Sequence, residues 1–338
     1  MKKPLALLTC CALLTGCGAV SSLTASAENT LSPEAMSGSG EQDAASSAPT
    51  EMPGESAPLR VTVTTSFLQD IVSVLAPDCT DVTLIIPAGE DPHTYEPKPE
   101  DIRKLGDAEL ILYHGLHFEG KMIELLEAEG GVAVSAGFAE SEVGSMEEDG
   151  IRIIDPHFWF DIDLYKKAVS AAADALAEKL PEHSAAIRTN CADYHAELDE
   201  LDSYIRSRLA GIPEESRILV TPHDAFNYFS RRYGMEVRAP QGVSTDAELS
   251  NREMAETAEY IVEHRIRAIF AESTTDPARM EKLRESCASR GFSVTVVRGE
   301  GRELFSDSLA PAGQDGDSYI TMYRHNVDLI AENLSYEP

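Results

Sequence analysis

A single long apolar stripe separates two regions of the chain in which strand and helix patterns alternate. Successive members of the stripe are three or four positions apart, which is the spacing of one face of an α-helix. Gly211 and Pro213 follow it and are residue types that end helices. The stripe therefore predicts one helix roughly 40 Å long, about the width of a small domain. Its members are Ile187, Cys191, Tyr194, Leu198, Leu201, Ile205 and Leu209.

Short strands alternate with helices on both sides of this stripe. Before it, the patterns predict strands at 60–64, 81–86, 110–113 and 132–135, and helices at 66–75, 97–105, 118–128 and 163–180. After it, they predict strands at 217–221, 268–271 and 293–297, and helices at 225–233, 248–264, 277–290 and 318–334. Such alternation indicates βαβ units with parallel strands. The predicted fold is α/β, with two βα lobes of mostly parallel sheets, at 59–180 and 213–338, joined by one long rigid helix at 181–212.

The first residues resemble the signal peptide of a lipoprotein. Lys2 and Lys3 give a positive start, and the apolar run at 5–14 is too short to span a membrane. The run ends in Leu-Thr-Gly-Cys at 14–17, which is similar to the cleavage motif of bacterial lipoproteins. We predict a signal peptide at 1–16, a lipid on Cys17 and a disordered tether over 17–58. The alternative is a plain secretory signal with incidental cysteines.

Net charge and cysteine count argue against two properties of the remaining chain, nucleic-acid binding and a disulfide framework. A net charge of −30 argues against nucleic-acid binding through the general field of the protein. Beyond the signal and the lipidated position three cysteines remain, and an odd number gives no clean disulfide framework. They are Cys79, Cys191 and Cys287, and one bridge between two of them stays an open alternative.

Three of the nine histidines directly follow a proline, although 18 prolines in 338 residues predict only about half of one such pair by chance. They are His93, His157 and His223, and each comes after an apolar or extended run. Because proline favours extended backbone in the residue before it, the pattern indicates strands that stop and present an imidazole on a stiff loop. Imidazole is the commonest side-chain ligand of transition metals. The three histidines therefore predict one metal site, assembled between the lobes near the carboxyl ends of strands.

A carboxylate commonly completes a site of three histidines. Asp307 lies in a predicted loop and Glu272 ends a predicted strand, and the residues alone do not decide between them. His114 and His117 form an HxxH motif that suggests a second site. At a strand end followed by a turn, however, this spacing does not reliably direct both rings to one point, so we predict a single site.

Six segments resemble the zinc/manganese solute-binding lipoproteins of bacterial ABC importers, the cluster A-I type. They are PHTYEP at 92–97, YHGLHFEGKM at 113–122, DPHFWFD at 155–161, TPHDAFNYFSRRYG at 221–234, QGVSTDAELS at 241–250 and LFSDSLAPAGQDGDSYITMYRHN at 304–326. The resemblance implies two lobes bridged by a rigid helix, with a metal in the cleft. Glu272 becomes the second choice for the carboxylate. The ligands that the resemblance implies are His93, His157, His223 and Asp307.

Two features depart from the pattern of this group. Some members carry Glu at the third ligand position, where this chain has His223. Many zinc-specific members have a long acidic loop rich in histidine between the first two ligands. Here 140–150 is acidic but contains no histidine, so we expect no zinc-collecting loop.

The sequence thus predicts an extracytoplasmic solute-binding lipoprotein, a monomer on the outer face of the bacterial cytoplasmic membrane. It would capture Zn²⁺ or Mn²⁺ as cargo in the cleft between the lobes and deliver it to an ABC permease with a cytoplasmic ATPase. The chain contains neither a P-loop nor a second hydrophobic span, so transport itself is assigned to partner chains. No catalytic residue is predicted. The alternatives are a secreted metal-dependent hydrolase that uses the same His/Asp cluster, and a surface adhesion lipoprotein.

Overall fold

The computed structural model describes residues 57–148, 150–247 and 249–335. The first half of this part is built on a parallel sheet. Its elements are β1 (Leu59–Val63), α1 (Ser66–Leu75), β2 (Thr80–Leu84), α2 (Pro99–Gly106), β3 (Leu110–Tyr113), α3 (Ile123–Ala128) and β4 (Val132–Ala133). The strand order is β2-β1-β3-β4, and the register sets Val61 beside Val82 and Leu110. The central strand β1 is buried at four of its five positions, as expected for a strand covered on both faces.

An antiparallel hairpin follows this sheet. It consists of β5 (Ser145–Glu148) and β6 (Ile151–Ile154), and Ser145 lies opposite Ile154. The sequence predicts only an acidic loop for most of this region, because β5 has no apolar alternation of its own and its structure comes from pairing with β6. The hairpin ends three residues before His157 and so fixes where the loop that carries this histidine begins.

The long apolar stripe forms the helix α5 (Ser184–Leu209), preceded by α4 (Ile162–Lys179). Six of the seven stripe residues are buried, and Cys191 is half-buried against the same core. Asp161 caps α4, where its side chain accepts a hydrogen bond from the backbone of Asp163. The prediction of one long helix in the middle of the chain is therefore confirmed.

The second half repeats the alternation of strand and helix. Its elements are β7 (Ile218–Val220), α6 (Asn227–Tyr233), β8 (Glu236–Arg238), α7 (Asn251–Glu263), β9 (Ala268–Phe270), α8 (Ala278–Ser289), β10 (Thr295–Val297) and α9 (Tyr319–Leu334). β7 pairs with β8 and β9 pairs with β10, both in parallel. The predicted α/β class, with two βα halves of mostly parallel strands joined by a long helix, is confirmed. The exact lobe boundaries at 59–180 and 213–338 stay a prediction, because one apolar cluster is continuous across both halves.

Arg232 of α6 joins three elements of the structure. Its Nε lies 2.8 Å from Asp202 Oδ1 in α5, and its Nη1 lies 2.9 Å from Asp161 Oδ1 at the start of α4. Nη1 also lies 2.8 Å from Asp163 Oδ2. The Arg232 side chain is 11% exposed, so these charges are partly shielded from water. The cluster ties the second half to the long helix and to the end of the first half.

Helix α9 supports the turn that follows His157. This turn is the 3-10 helix Phe158–Phe160. The Tyr319 hydroxyl donates to the carbonyl oxygen of Trp159 at 2.5 Å, and the Tyr323 hydroxyl donates to that of Phe160 at 2.8 Å. Both tyrosines are fully buried, so these bonds act in a medium where polar groups need a partner. The position of His157 therefore depends on a helix more than 150 residues further along the chain.

Cys79, Cys191 and Cys287 are free thiols, so the alternative of a bridge between two of them is not found. Within residues 57–148, 150–247 and 249–335, no helix combines the length and the apolar character that a membrane span requires. The predicted signal peptide, Cys17 and all but the last two positions of the tether lie outside the described residues.

Candidate metal centre

Four polar side chains from four separate loops meet in the interior of the protein. His93 lies between β2 and α2, and His157 lies between β6 and the 3-10 helix that follows. His223 follows β7, and Asp307 lies between β10 and α9. His93 is 4% exposed and the other three side chains are fully buried. Each loop comes after a strand, which is where open α/β sheets bind their ligands.

The ligand atoms of these four residues lie within 4.8 Å of one another. The Nε2 atoms of His93 and His157 are 3.3 Å apart. Asp307 bridges the other two histidines, with Oδ1 at 3.2 Å from His157 Nε2 and Oδ2 at 3.2 Å from His223 Nε2. Three imidazole nitrogens and one carboxylate therefore converge on one point.

The hydrogen bonding of this cluster is incomplete among the described residues. His223 Nε2 and Asp307 Oδ1 are buried there without a hydrogen-bond partner of good geometry. A buried polar atom without a partner is costly, and a divalent cation would satisfy all four groups at once. Neutral imidazole nitrogens and a carboxylate oxygen are suitable donors for Zn²⁺ and related ions. The residues thus fit a transition-metal cation.

Two further carboxylates contact the Nδ1 atoms of His157 and His223, on the side of each ring that faces away from the cluster. His157 Nδ1 is hydrogen-bonded to Asp155 Oδ1 at 2.8 Å. His223 Nδ1 lies 2.6 Å from Glu272 Oε2, a close charge contact without the geometry of a hydrogen bond. A carboxylate in this position fixes the imidazole so that Nε2 faces the metal, and it makes that nitrogen a stronger donor. Glu272, the second choice for the fourth ligand, therefore faces the opposite nitrogen of His223 and is not one of the four converging groups. Sequence reasoning did not identify this role of Asp155. The available signal was its position two residues before His157.

Burial and charge shift the pKa values of the cluster in opposite directions. Burial lowers the pKa of His93 to about 3. Burial also lowers the pKa of His223, but the Glu272 and Asp307 carboxylates outweigh this effect and hold it well above 6.5. The pKa of Asp307 would be raised by burial, yet His223 and His157 hold it well below its usual range. Without a metal, Asp307 is therefore ionised beside the His223 imidazole, whose pKa its negative charge helps to raise.

Aromatic rings pack against His93 and His157, the two histidines of the cluster that belong to the first half of the chain. The Trp159 ring lies 5.2 Å from that of His157 and Phe118 lies 5.1 Å from His93, measured between ring centroids. Trp159 Nε1 donates to the Ser306 carbonyl oxygen at 2.9 Å, next to Asp307. The single tryptophan of the chain therefore packs beside the site. The rings exclude water, which strengthens electrostatic interactions inside the site.

The HxxH motif does not bring its two histidines together. His114 is buried, with Nε2 2.7 Å from Thr65 Oγ1, whereas His117 is exposed and has a φ of 64°. A neighbouring residue that sequence reasoning missed is Glu119. It is fully buried and accepts hydrogen bonds from the Thr64 hydroxyl at 2.8 Å and from the His114 backbone. Its role is to hold the loop after β3.

We expect Glu272→Gln to weaken zinc binding by about 10- to 100-fold, the usual effect of removing a carboxylate that supports a ligand histidine. The amide keeps the size of the side chain but loses the charge that favours a metal on His223. Competition titration against a fluorescent zinc chelator measures the change. Glu96→Gln, at a side chain that is 79% exposed, is the control. Equal affinities of Glu272→Gln and the unchanged chain would contradict this role.

Comparison with known proteins gives consistent matches over the described part of the chain. The family model described as "Zinc-uptake complex component A periplasmic" matches residues 61–333. The zinc-binding protein TroA of Treponema pallidum (strain Nichols) is 39% identical over 282 residues, covering 82% of this chain and 89% of TroA. The manganese-binding lipoprotein MntA of Bacillus subtilis (strain 168) is 36% identical over 289 residues, covering 84% and 93%. A solved TroA structure, from work on the metal-binding specificity of TroA, has a TM-score of 0.81 and 54% identity, and covers 82% of this chain and 100% of its own.

Proposed function

Because this chain belongs to the family of zinc-uptake complex component A, we propose that it is the metal receptor of an ABC importer. It binds one divalent transition-metal cation through His93, His157, His223 and Asp307, and it hands the ion to a membrane permease driven by a cytoplasmic ATPase. The observation that carries the proposal is the burial of four metal-binding groups whose ligand atoms lie within 4.8 Å of one another. The metal is cargo in this proposal, and no reaction is assigned to it.

The cargo that we propose is Zn²⁺ or Mn²⁺. Three nitrogens and one carboxylate suit Zn²⁺, whereas Mn²⁺ prefers more oxygen ligands. Both oxygens of Asp307 face the cluster, one toward His157 and one toward His223, which would let this residue supply a second oxygen. Zn²⁺ binds such sites more tightly than Mn²⁺, so the metal that is carried depends on supply as well as on affinity.

We further propose a lipid anchor on Cys17, a location on the outer face of the cytoplasmic membrane and a monomeric receptor. The Leu-Thr-Gly-Cys sequence at 14–17 supports the anchor, and so does the lipoprotein name of the Bacillus subtilis relative. Labelling with a fatty-acid analogue, with Cys17→Ala as the comparison, tests this attachment.

We propose that the protein is not an enzyme. A catalytic zinc keeps an open position for water beside three protein ligands. Here four protein groups surround one point and all of them are buried, which favours a closed site for storage and transfer. Neither the hydrolase nor the adhesion alternative has an observation in the described residues that favours it.

Elemental analysis of the purified chain tests the binding function. The protein is stripped of metal, incubated with Zn²⁺ or Mn²⁺ and separated from the free ion. The expected result is one equivalent of metal per chain, held tightly enough to survive gel filtration. A stoichiometry near zero for both metals would overturn the proposal.

Metal binding is expected to release protons and to weaken as the pH falls. Burial lowers the pKa of His157 and His223, but carboxylate neighbours outweigh it and raise both, that of His223 well above 6.5, so we expect the metal to displace a proton at least from His223. Each displaced proton changes the apparent affinity by about tenfold per pH unit. Titration calorimetry in buffers of different ionisation enthalpy counts these protons. An affinity that does not vary between pH 6 and 8 would contradict the assignment.

The stability of the metal-free protein should fall as the pH rises, whereas metal binding strengthens over the same range. A raised pKa in the folded state contributes stability that is complete below the unfolded value of 6.5 and is lost as the pH rises through the folded value. Without metal, the two histidines therefore stabilise the fold less as the solution becomes more alkaline.

A further inference from the structure

The short segment 306–309, which carries Asp307, belongs to the second half of the chain but also makes several bonds to the first half. Trp159 Nε1 donates to the Ser306 carbonyl oxygen at 2.9 Å. The Leu309 backbone donates to Ser66 Oγ at 2.9 Å. Two further contacts converge on Ser308, and they define a latch between the halves.

The latch consists of Ser66 and Ser308 with their partners. Their hydroxyl oxygens are 3.2 Å apart, across 242 positions of sequence. The Gly89 backbone, in the turn that leads to His93, donates to Ser308 Oγ at 2.7 Å. Ser66 is the first residue of α1, so the latch joins that helix, the His93 loop and the Asp307 segment. Both serines are buried, at 7% and 3% exposure, so a missing hydroxyl is not replaced freely by water.

The other ligand of the second half is held differently. His223 is backed by Glu272, which follows β9 of the same half. Within that half, Oδ2 of Asp307 is contacted by His223 Nε2 at 3.2 Å and by the Thr274 hydroxyl at 3.4 Å. The Ser306 hydroxyl donates to Glu272 at 3.0 Å. If the halves separate, His223 keeps Glu272, and the neighbouring residues Leu304 and Phe305 keep their backbone contacts with Glu272 and Asn326. The backbone of 306–309, however, loses its bonds to Trp159 and Ser66.

We propose that Ser66 and Ser308 are positioning residues that hold Asp307 against the cation and thereby set how fast the cation is released. This inference rests on the metal-receptor function proposed above. Movement between the halves breaks the latch, withdraws Asp307 and leaves the ion on the histidines alone, which is the state from which it dissociates. The latch thus couples the relative position of the halves to the number of ligands on the metal.

The first test needs no metal. Hydrogen–deuterium exchange of the metal-free full chain is compared with that of Ser66→Ala and Ser308→Ala. We expect faster exchange in peptides that contain 304–310, and a red shift of fluorescence from Trp159, the only tryptophan in the chain. Ser273→Ala is the matched control, because the Ser273 hydroxyl is buried nearby without a hydrogen-bond partner among the described residues. Unchanged exchange in both latch variants would overturn the proposal.

The second test measures zinc release into excess EDTA by stopped flow. Each latch variant should release zinc about tenfold faster than the unchanged chain, the lower end of the effect expected for groups that orient a ligand. The double variant should add little to either single variant, because both remove the same latch. Ser308→Thr, which keeps a hydroxyl, should restore part of the slow release.

The outcomes separate the two proposals. If the unchanged chain binds zinc but the latch variants release it at the unchanged rate, only the latch is overturned. If Ser273→Ala speeds release as much as Ser66→Ala does, a general loss of packing explains the effect and the latch is again overturned. If the unchanged chain binds no metal, the receptor function fails and the latch proposal falls with it.

Discussion

His223→Ala is expected to lower the affinity for zinc by more than about 100-fold, which exceeds the effect of losing a group that only supports a ligand. The substitution removes one of four donors. It also leaves Glu272, which is 1% exposed, without the imidazole that lies 2.6 Å from its carboxylate. Competition titration against a chelator of known affinity measures the loss.

The control for this prediction is His117→Ala, at an exposed histidine of the HxxH motif. It should bind zinc like the unchanged chain. Circular dichroism and thermal unfolding without metal establish that each variant is folded. His157→Ala provides a second substitution at a ligand, in case the buried charge of Glu272 destabilises His223→Ala. Tight zinc binding by both ligand variants would refute the assignment of the centre.

Arg232→Ala should destabilise the fold by about 3 kcal/mol, the cost expected when one partner of a shielded charge cluster is removed. The Asp161 and Asp202 carboxylates, which are 16% and 18% exposed, would keep their charge but lose the cation between them. Urea unfolding of the metal-free variant and of the metal-free unchanged chain measures the difference in the free energy of unfolding.

Arg188→Ala is the comparison for this stability prediction. Its ion pair with Asp174 joins the long helix α5 to α4 on the surface of the protein, where both side chains are more than 60% exposed. Exposed pairs contribute about 0 to 1 kcal/mol, so this variant should unfold almost like the unchanged chain. Equal effects of the two arginine substitutions would show that the Arg232 cluster is no more important than an ordinary surface pair.

The regular elements were predictable because their signals are local. The stripe from Ile187 to Leu209 repeats the period of a helix, and its burial follows from that period alone. The Pro-His pairs predicted three stiff loops for the same reason, since proline restricts its immediate neighbour. The hairpin of β5 and β6 escaped prediction because three of the four residues of β5 are polar, and the strand acquires its structure from pairing with β6.

The carboxylates of the site could not be assigned from sequence patterns alone. Asp307 and Glu272 both follow strand-like segments, and nothing within a few residues of either shows which one points into the cleft. Their different roles arise from contacts such as the bond between Trp159 and Ser306, which spans 147 positions. The pairing of Ser66 with Ser308 is of the same kind. These roles depend on tertiary contacts between the two halves, and no local pattern of residues in the sequence predicts such contacts.

The phenol bonds from α9 have a consequence for the order in which the protein matures. His157 precedes a turn whose carbonyl groups are held by Tyr319 and Tyr323, close to the last described residues. A chain that is threaded across a membrane from its first residue exposes α9 after nearly everything else. In the export proposed above, the loops that carry His93, His157 and His223 would cross the membrane before α9. The proposed centre would therefore be completed late, and a chain interrupted before Tyr319 would carry the histidines without the bonds that hold the turn after His157.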